Sequence, residues 1–204
     1  MRLLDSRRLT GPSLLTDRTG AIIDVGLSAD APGHLSAMPD QAFDIPALEA
    51  WERHARALLG AVGWSEEQTI CRPYPGGASL AITAPADALY AATELNELAW
   101  EAAVAELEKG AGIESGGGIP VEPDEAPPAE PGAAFVIERT VAGLRQAIEA
   151  EANPALLALR EAAGQHRVAF LMDDEQVTVG LGAGSRSWPI EVAFRSSRTS
   201  AVAR

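Results

Sequence analysis

Residues 72–101 constrain the fold more than any other part of the chain, because they specify a turn, a strand and a helix in succession. Gly76 and Gly77 separate two apolar and β-branched runs, residues 69–74 and 78–83. Two such runs around a glycine turn predict a pair of antiparallel strands. The helix that follows them predicts a fold in which strands and helices pack together.

That helix is predicted for residues 85–109, with Pro85 in the first turn, where the missing N–H costs no hydrogen bond. One side of it carries Asp87, Tyr90, Glu94, Glu97 and Glu101. Carboxylates at these spacings can bind a metal or act as an acid–base pair, but an amphipathic helix usually presents such a side to solvent. We expect a solvated face, with a metal-dependent enzyme as the minor alternative.

Asn96 is a polar residue near the middle of the apolar side of this helix, roughly opposite Asp87 at about 100° per residue. A buried asparagine without hydrogen-bond partners costs about 1–3 kcal/mol. Asn96 is therefore expected either to clamp the turn at Gly76 and Gly77 or to face a ligand, and clamping the turn is the favoured role.

The remaining segments predict the other elements of an α+β fold. Strands are predicted for residues 21–27, 168–172 and 177–181, and helices for residues 46–62, 136–152 and 154–163. Residues 1–20 are predicted to be an ordered arm or loops, and residues 182–204 a poorly ordered tail. We expect a small, mostly antiparallel sheet packed by about four helices.

Gly, Pro and acidic residues dominate residues 110–134, and this composition cannot bury enough apolar area to offset the ordering of the chain. The segment is predicted to be a disordered, flexible linker. It follows an N-terminal α+β region, residues 1–109. Residues 135–204 contain helices and a β-hairpin and are expected to pack on that region as one domain.

The composition argues against several classes of protein. A net charge of −13 argues against nucleic-acid binding, which needs a basic surface. Since no apolar run approaches about 18 residues, no membrane-spanning helix is predicted. The single cysteine, Cys71, excludes an internal disulfide framework and is expected to be an inert core thiol. A cytoplasmic location is therefore expected.

No complete catalytic or metal-binding motif is present in the sequence. Lys109 is the only lysine, and it lies outside any G-K-[ST] phosphate loop. His34, His54 and His166 are scattered without metal-ligand spacing, and no serine lies in a G-x-S-x-G elbow. We predict no catalytic residue, no metal ligand and no cofactor in this chain.

Three segments together resemble one family. They are S-R-R-L-T-G-P-S-L-L at residues 6–15, P-A-D-A-L-Y-A-A-T-E-L-N-E at residues 85–97, and V-A-F-L-M-D-D-E-Q-V-T-V-G-L-G-A-G-S-R-S-W-P at residues 168–189. They are similar to the N-terminal domain of cyanophycin synthetase and related Mur-ligase-like proteins. Ser13 stands where the opening motif of that family usually has asparagine.

The resemblance implies an association with ATP-dependent ligases, which join a carboxylate to an amine through an acyl phosphate. In that family ATP and Mg²⁺ belong to an ATP-grasp domain, or to a Mur-ligase domain with a G-T-N-G-K-[ST] loop. This sequence contains neither and is expected to stop where they would begin. The resemblance therefore implies a noncatalytic module that works with a separate ligase domain.

We expect the module to hold or position a small carboxylate or peptide-like substrate. The predicted binding residues are Arg72, Gly76, Gly77 and Asn96, together with Arg7 and Arg8 if the N-terminal arm folds over the turn. The alternative is a module that forms a homo-oligomer or docks onto a partner without a ligand. An exposed apolar patch on helix 46–62 or 136–152 would favour that alternative.

Overall fold

The computed structural model describes residues 1–26, 45–112, 133–173 and 175–190. The elements in chain order are β1 (Arg2–Leu9), β2 (Gly20–Gly26), α1 (Ile45–Val62), β3 (Thr69–Tyr74), β4 (Gly77–Thr83), α2 (Leu89–Gly112), α3 (Ala133–Glu151), α4 (Pro154–Gln165), β5 (Phe170–Met172), β6 (Gln176–Val179) and β7 (Arg186–Pro189). Within these ranges, four helices and two antiparallel sheets confirm the predicted α+β class.

The larger sheet has four antiparallel strands in the order β1-β2-β4-β3, and its main helix contacts come from α1 and α2. Successive side chains of a strand point to opposite faces of the sheet. One face is therefore buried under the helices through Ala21, Ile23, Val25, Ala78, Leu80 and Ile82. We call the opposite face the outer face. It carries Arg7, Ile22, Asp24, Arg72 and Ser79.

Small side chains are frequent where α1 and α2 meet each other and the sheet. The buried alanines of these helices include Ala47, Ala50, Ala55, Ala92, Ala99 and Ala103. Their size lets the helix backbones approach closely, and Trp51, Leu59 and Leu95 fill the remaining space. This packing fixes the inner face of the sheet, and it holds the strands that present the outer face.

Helix α2 begins at Leu89, not at Pro85 as predicted, because residues 85–88 form a turn in which the Ala88 N–H donates to the Pro85 carbonyl at 3.2 Å. The first N–H groups of α2 bond to the Glu151 carboxylate at the end of α3. Its two oxygens accept from Tyr90 N at 3.0 Å and from Ala91 N at 2.7 Å. An acceptor so distant in sequence gives no local signal of where the helix starts.

The Asp87 carboxylate makes the converse contact, since it accepts from Asn153 N at 2.7 Å between α3 and α4. Asn153 in turn caps α4, because its Oδ1 accepts from Leu156 N at 3.1 Å. The prediction that Asp87 belongs to a solvated face is therefore wrong. Its charge satisfies a backbone donor at the junction of two helices.

Two strands occur where loops or a poorly ordered tail were predicted. β1 has mostly exposed side chains, yet it pairs with β2 from Arg2 opposite Gly26 to Leu9 opposite Gly20. An exposed edge strand often carries charges, so its sequence lacks the apolar alternation from which strands are predicted. β7 likewise pairs with β6 and completes a three-stranded sheet with the predicted β5–β6 hairpin.

The predicted linker, residues 110–134, falls mostly outside the described residues, because α2 ends at Gly112 and α3 begins at Ala133. Residues 191–204 of the predicted tail lie outside them as well. Helix α3 packs against α1 and α2. None of the helices in the described part of the chain combines the length and apolar character needed to cross a membrane.

Candidate functional site

A cleft of about 560 Å³ lies on the outer face of the larger sheet. Its lining residues are Arg7, Arg8, Leu9, Ser13, Leu14, Leu15, Ile22, Arg72, Tyr74 and Ser79. They come from β1, the loop after β1, and the other three strands of the sheet. The volume lies in the range of roughly 300–1,000 Å³ that is typical of small-molecule sites. We call this site the sheet cleft.

The register of the sheet aligns three polar side chains across the outer face, and two of them, Arg72 and Ser79, line the sheet cleft. Arg72 of β3 lies opposite Ser79 of β4, and Ser79 lies opposite Asp24 of β2. Residues directly opposite each other on antiparallel strands project from the same face. The strand pairing therefore brings together residues that are far apart in the sequence.

Asp24 is the centre of a hydrogen-bonded group on the outer face that includes two residues of the cleft lining, Ser79 and Arg7. Ser79 Oγ donates to Asp24 Oδ1 at 2.6 Å, and the Arg7 guanidinium pairs with Asp24 Oδ2. Arg7 Nε also lies 3.2 Å from Asp5 Oδ2. Since two carboxylates already neutralise Arg7, this arginine is poorly suited to bind a further anion.

Arg72 differs from Arg7, because its exposed side chain makes no hydrogen bond or ion pair with any residue in the described ranges. A guanidinium presents five N–H donors in a planar fork that matches the two oxygens of a carboxylate. The sheet cleft therefore contains a cation whose donors are available to a ligand.

Tyr74 lines the sheet cleft beside the glycine turn, in which Gly76 supplies the backbone conformation and Gly77 leaves room for the tyrosine ring. Gly76 has a φ of 84°, which favours glycine. A Cβ on Gly77, which lies opposite Tyr74, would be 2.6 Å from the Cε2 and Oη atoms of the tyrosine. Burial raises the pKa of Tyr74, and Asp24 raises it further against the opposing effect of Arg7. The hydroxyl therefore stays protonated at neutral pH and can donate to a ligand.

The loop after β1 forms the apolar side of the sheet cleft. Ser13 stabilises this loop, because its Oγ accepts from the N–H groups of Leu15 and Thr16, both at 3.2 Å. The Leu14 side chain is 94% exposed beside Leu15 at the cleft. A serine side chain that bonds to the backbone two and three residues later is typical of such local turns.

Arg8 is directed away from Arg7. Its guanidinium carbon lies 4.0 Å from the centre of the Tyr90 ring, at the start of α2. Neighbouring residues of a strand point to opposite faces. Arg8 also lines the sheet cleft, but its guanidinium interacts with Tyr90. Arg7 and Arg8, which were predicted to act together, therefore do not direct their charges to the same point in the cleft.

Asn96 is 0% exposed and lies under the sheet. Its Oδ1 accepts from Trp51 Nε1 at 2.9 Å, and its Nδ2 donates to the Leu80 carbonyl at 3.0 Å and the Ala21 carbonyl at 3.5 Å. Its burial was predicted correctly, but the predicted clamp on the glycine turn is wrong. Helix α2 crosses the middle of β2 and β4, so the amide reaches strand carbonyls and is inaccessible to a substrate.

A smaller cavity, of about 150 Å³, lies at the start of α2 beside Arg8, Tyr90 and Glu151. Burial raises the pKa of the Glu151 carboxyl and Asp87 adds to this increase, whereas the backbone donors of α2 and the Arg8 charge lower it. Since both oxygens of Glu151 bond to N–H groups of α2, the residue joins two helices and is not available to a ligand.

The acidic side chains of α2 belong to no group of three metal-ligating side chains among the described residues. Glu94 and Glu101 are exposed, as a solvated face requires. Cys71 is exposed on the edge strand β3, so its predicted place in the core is wrong. Partial burial raises the pKa of its thiol, and the Glu52 charge raises it further, so Cys71 is a poor nucleophile.

A third cavity, of about 420 Å³, lies among α1, α2 and α3. Its lining is mostly apolar and consists of His54, Ala57, Leu58, Ala61, Leu98, Glu101, Ala102, Ala105, Thr140 and Val141. We call it the helix groove. It lies on the two helices for which the sequence suggested an apolar interaction patch.

No protein-family model matches this chain, and no curated protein is detectably similar to it. The resemblance to the cyanophycin synthetase and Mur-ligase-like family therefore stays a prediction.

Proposed function

We propose that this chain is a noncatalytic binding module that holds a small carboxylate or peptide-like substrate in the sheet cleft. The observation that carries the proposal is the Arg72 side chain, which lines the cleft without a partner among the described residues. Tyr74 adds a protonated hydroxyl on the same strand. A guanidinium and a hydroxyl donor together suit a carboxylate ligand.

The charges around the cleft favour a site for one small carboxylate over a surface that binds any anion. The chain has a net charge of −13, and Asp24 and Asp5 already neutralise Arg7. A large polyanion would therefore meet repulsion beyond the immediate surroundings of Arg72. A small ligand with one carboxylate can approach Arg72 without covering the acidic surface.

The residues that line the sheet cleft favour a binding function over a catalytic one. Its lining residues include no histidine, cysteine or lysine. The Ser79 hydroxyl donates to Asp24, but Arg7 pairs with the same carboxylate, so both Asp24 oxygens already have partners. This arrangement has the donors to orient a carboxylate but lacks an activated nucleophile.

The family resemblance supports the further proposal that the held substrate is passed to an ATP-dependent ligase. In this arrangement a separate ligase domain would supply ATP and Mg²⁺ and would form the acyl phosphate. The present chain would position the carboxylate or the peptide that carries it. Tight binding of ATP with Mg²⁺ by the chain alone would contradict this division of roles.

Isothermal titration calorimetry with N-acetyl-Ala-Ala and with its C-terminal amide tests the binding function. We expect the free carboxylate to bind better than the amide, and Arg72→Gln to weaken its binding about 10- to 100-fold, the range for a lost hydrogen bond to a charged group. Arg56→Gln is the matched control, because Arg56 is an exposed arginine that pairs with Glu52 on α1. Equal binding by wild type and Arg72→Gln would refute the proposal.

The helix groove supports the alternative function, a module that forms a homo-oligomer. Alanines of α1 and α2 together with Leu58, Leu98 and Val141 give it a mostly apolar lining, as the sequence-based alternative required. Light scattering coupled to size-exclusion chromatography measures the oligomeric state. A dimer that Leu58→Glu dissociates would favour this alternative, and a concentration-independent monomer would count against it.

A further inference from the structure

We infer that the sheet cleft selects a carboxylate that carries a neighbouring apolar group, such as the C-terminal residue of a peptide that ends in leucine or phenylalanine. This inference rests on the proposed function and adds the chemical class of the ligand. It follows from the distribution of polar and apolar side chains within the sheet cleft.

The polar and apolar halves of the sheet cleft are separated along the strands. The polar half is the row that contains Asp24, Ser79 and Arg72, with Tyr74 beyond it. The apolar half begins at Ile22, two residues before Asp24 on β2. Arg7 lies opposite Ile22, but its guanidinium pairs with Asp24 and Asp5. At about 3.3 Å per residue along a strand and about 4.8 Å between strands, the backbones of Arg72 on β3 and Ile22 on β2 lie roughly 12 Å apart across the sheet.

The apolar half extends from the sheet onto the loop above it. Leu9 lies opposite Gly20, on the same side as Arg7 and Ile22 by strand alternation. Leu14 and Leu15 line the cleft from the loop after β1. Four aliphatic side chains therefore line the site; Ile22 is buried among them, whereas Leu14 retains nearly all of its apolar surface for a ligand.

This arrangement sets the size of the ligand group. If Arg72 binds the carboxylate, its long side chain covers part of the distance between the two halves, and an apolar side chain next to the carboxylate extends over the rest. A leucine or phenylalanine side chain is long enough to approach the apolar half, whereas a serine side chain is too short and too polar. Burial of apolar surface then adds to the attraction of the carboxylate.

Calorimetric titration with N-acetyl-Ala-Leu and N-acetyl-Ala-Ser, which have the same free carboxylate, tests the inference. We expect wild type to bind the leucine peptide about 10-fold more tightly than the serine peptide, as for a small apolar group in a pocket. Leu14→Ser should reduce this preference, and Leu157→Ser should retain it. Leu157 is the control because it is an exposed leucine on α4 that does not line the cleft.

The outcomes separate the inference from the proposed function. Equal affinity of wild type for both peptides, with Arg72→Gln weakening both, would overturn the apolar selectivity and leave the carboxylate site intact. An unchanged preference in Leu14→Ser would also overturn the role given to the loop. Absence of binding by either peptide would refute the proposed function itself.

Discussion

Replacement of Asn96 by leucine tests the role of the buried amide that joins α1, α2 and the sheet. Leucine has a similar size, so the change leaves little empty space, but it offers no acceptor to the Trp51 indole N–H. A buried donor without a partner costs about 1–3 kcal/mol. The lost bond to the Leu80 carbonyl adds about 1 kcal/mol, so we expect Asn96→Leu to lower the free energy of unfolding by about 2–4 kcal/mol.

A double-mutant cycle separates the hydrogen bond from other effects of the substitution. Trp51→Phe removes the donor and leaves a space in the core. When both residues are replaced, no indole N–H remains without an acceptor. The cost of Asn96→Leu together with Trp51→Phe should therefore be smaller than the sum of the single costs, by about 1–3 kcal/mol.

Urea unfolding followed by far-ultraviolet circular dichroism measures these costs without relying on tryptophan emission, which Trp51→Phe would alter. With an m-value of about 2 kcal/mol/M, a loss of 3 kcal/mol lowers the unfolding midpoint by about 1.5 M. An Asn96→Leu midpoint equal to that of wild type would refute the role of the amide. Additive costs in the double variant would refute the coupling to Trp51.

Three further predictions concern single groups. Gly77→Ala should destabilise the protein by about 1–3 kcal/mol and weaken carboxylate binding, because the new methyl group would clash with the Val25 carbonyl oxygen and lie 2.6 Å from the Tyr74 ring, so that both β2 and the ring must shift; calorimetry and urea unfolding measure the two effects. The pKa of Glu151 is raised in the folded protein, so the folded state binds this proton more tightly than the unfolded state, and the associated stability is lost as pH rises through the folded pKa. Thermal unfolding of wild type and Glu151→Gln should show the stability of wild type falling relative to the variant between pH 4 and pH 7, and a relative rise would contradict this sign. Cys71 should react with iodoacetamide more slowly than free cysteine at neutral pH, and Glu52→Gln should speed the reaction.

The sequence predicted well the bounds of those strands whose own residues and flanking turn indicate a strand. Strand β3 has the predicted bounds, Thr69–Tyr74, and β4 begins one residue earlier than expected. In both cases a β-branched or apolar run and a flanking glycine turn lie next to each other in the sequence. Strand β1 has no such signal, because its charged side chains are compatible with an edge strand and equally with a loop.

Contacts between elements that are far apart in the sequence could not be predicted from local sequence patterns. Helical spacing placed Asn96 on the buried side, but only the packing of α1 against α2 brings Trp51 to it. Arg72 was selected as a cation near the turn, whereas Tyr74, two residues later on the same strand face, was missed. Alternation along β3 would have indicated Tyr74 once the outer face was known to carry the site.

The carboxylate that caps α2 also affects the order in which the chain can fold during synthesis. Glu151 lies 60 residues after Ala91, whose N–H it accepts. At 5–20 residues per second, the ribosome adds Glu151 about 3–12 s after the start of α2 has been made. During that interval the first turn of α2 lacks this acceptor. Only the packing of α2 against α1 and the four-stranded sheet then holds the start of the helix in place. Completion of α3 then closes the helix end and joins the late-made part of the protein to the part made first.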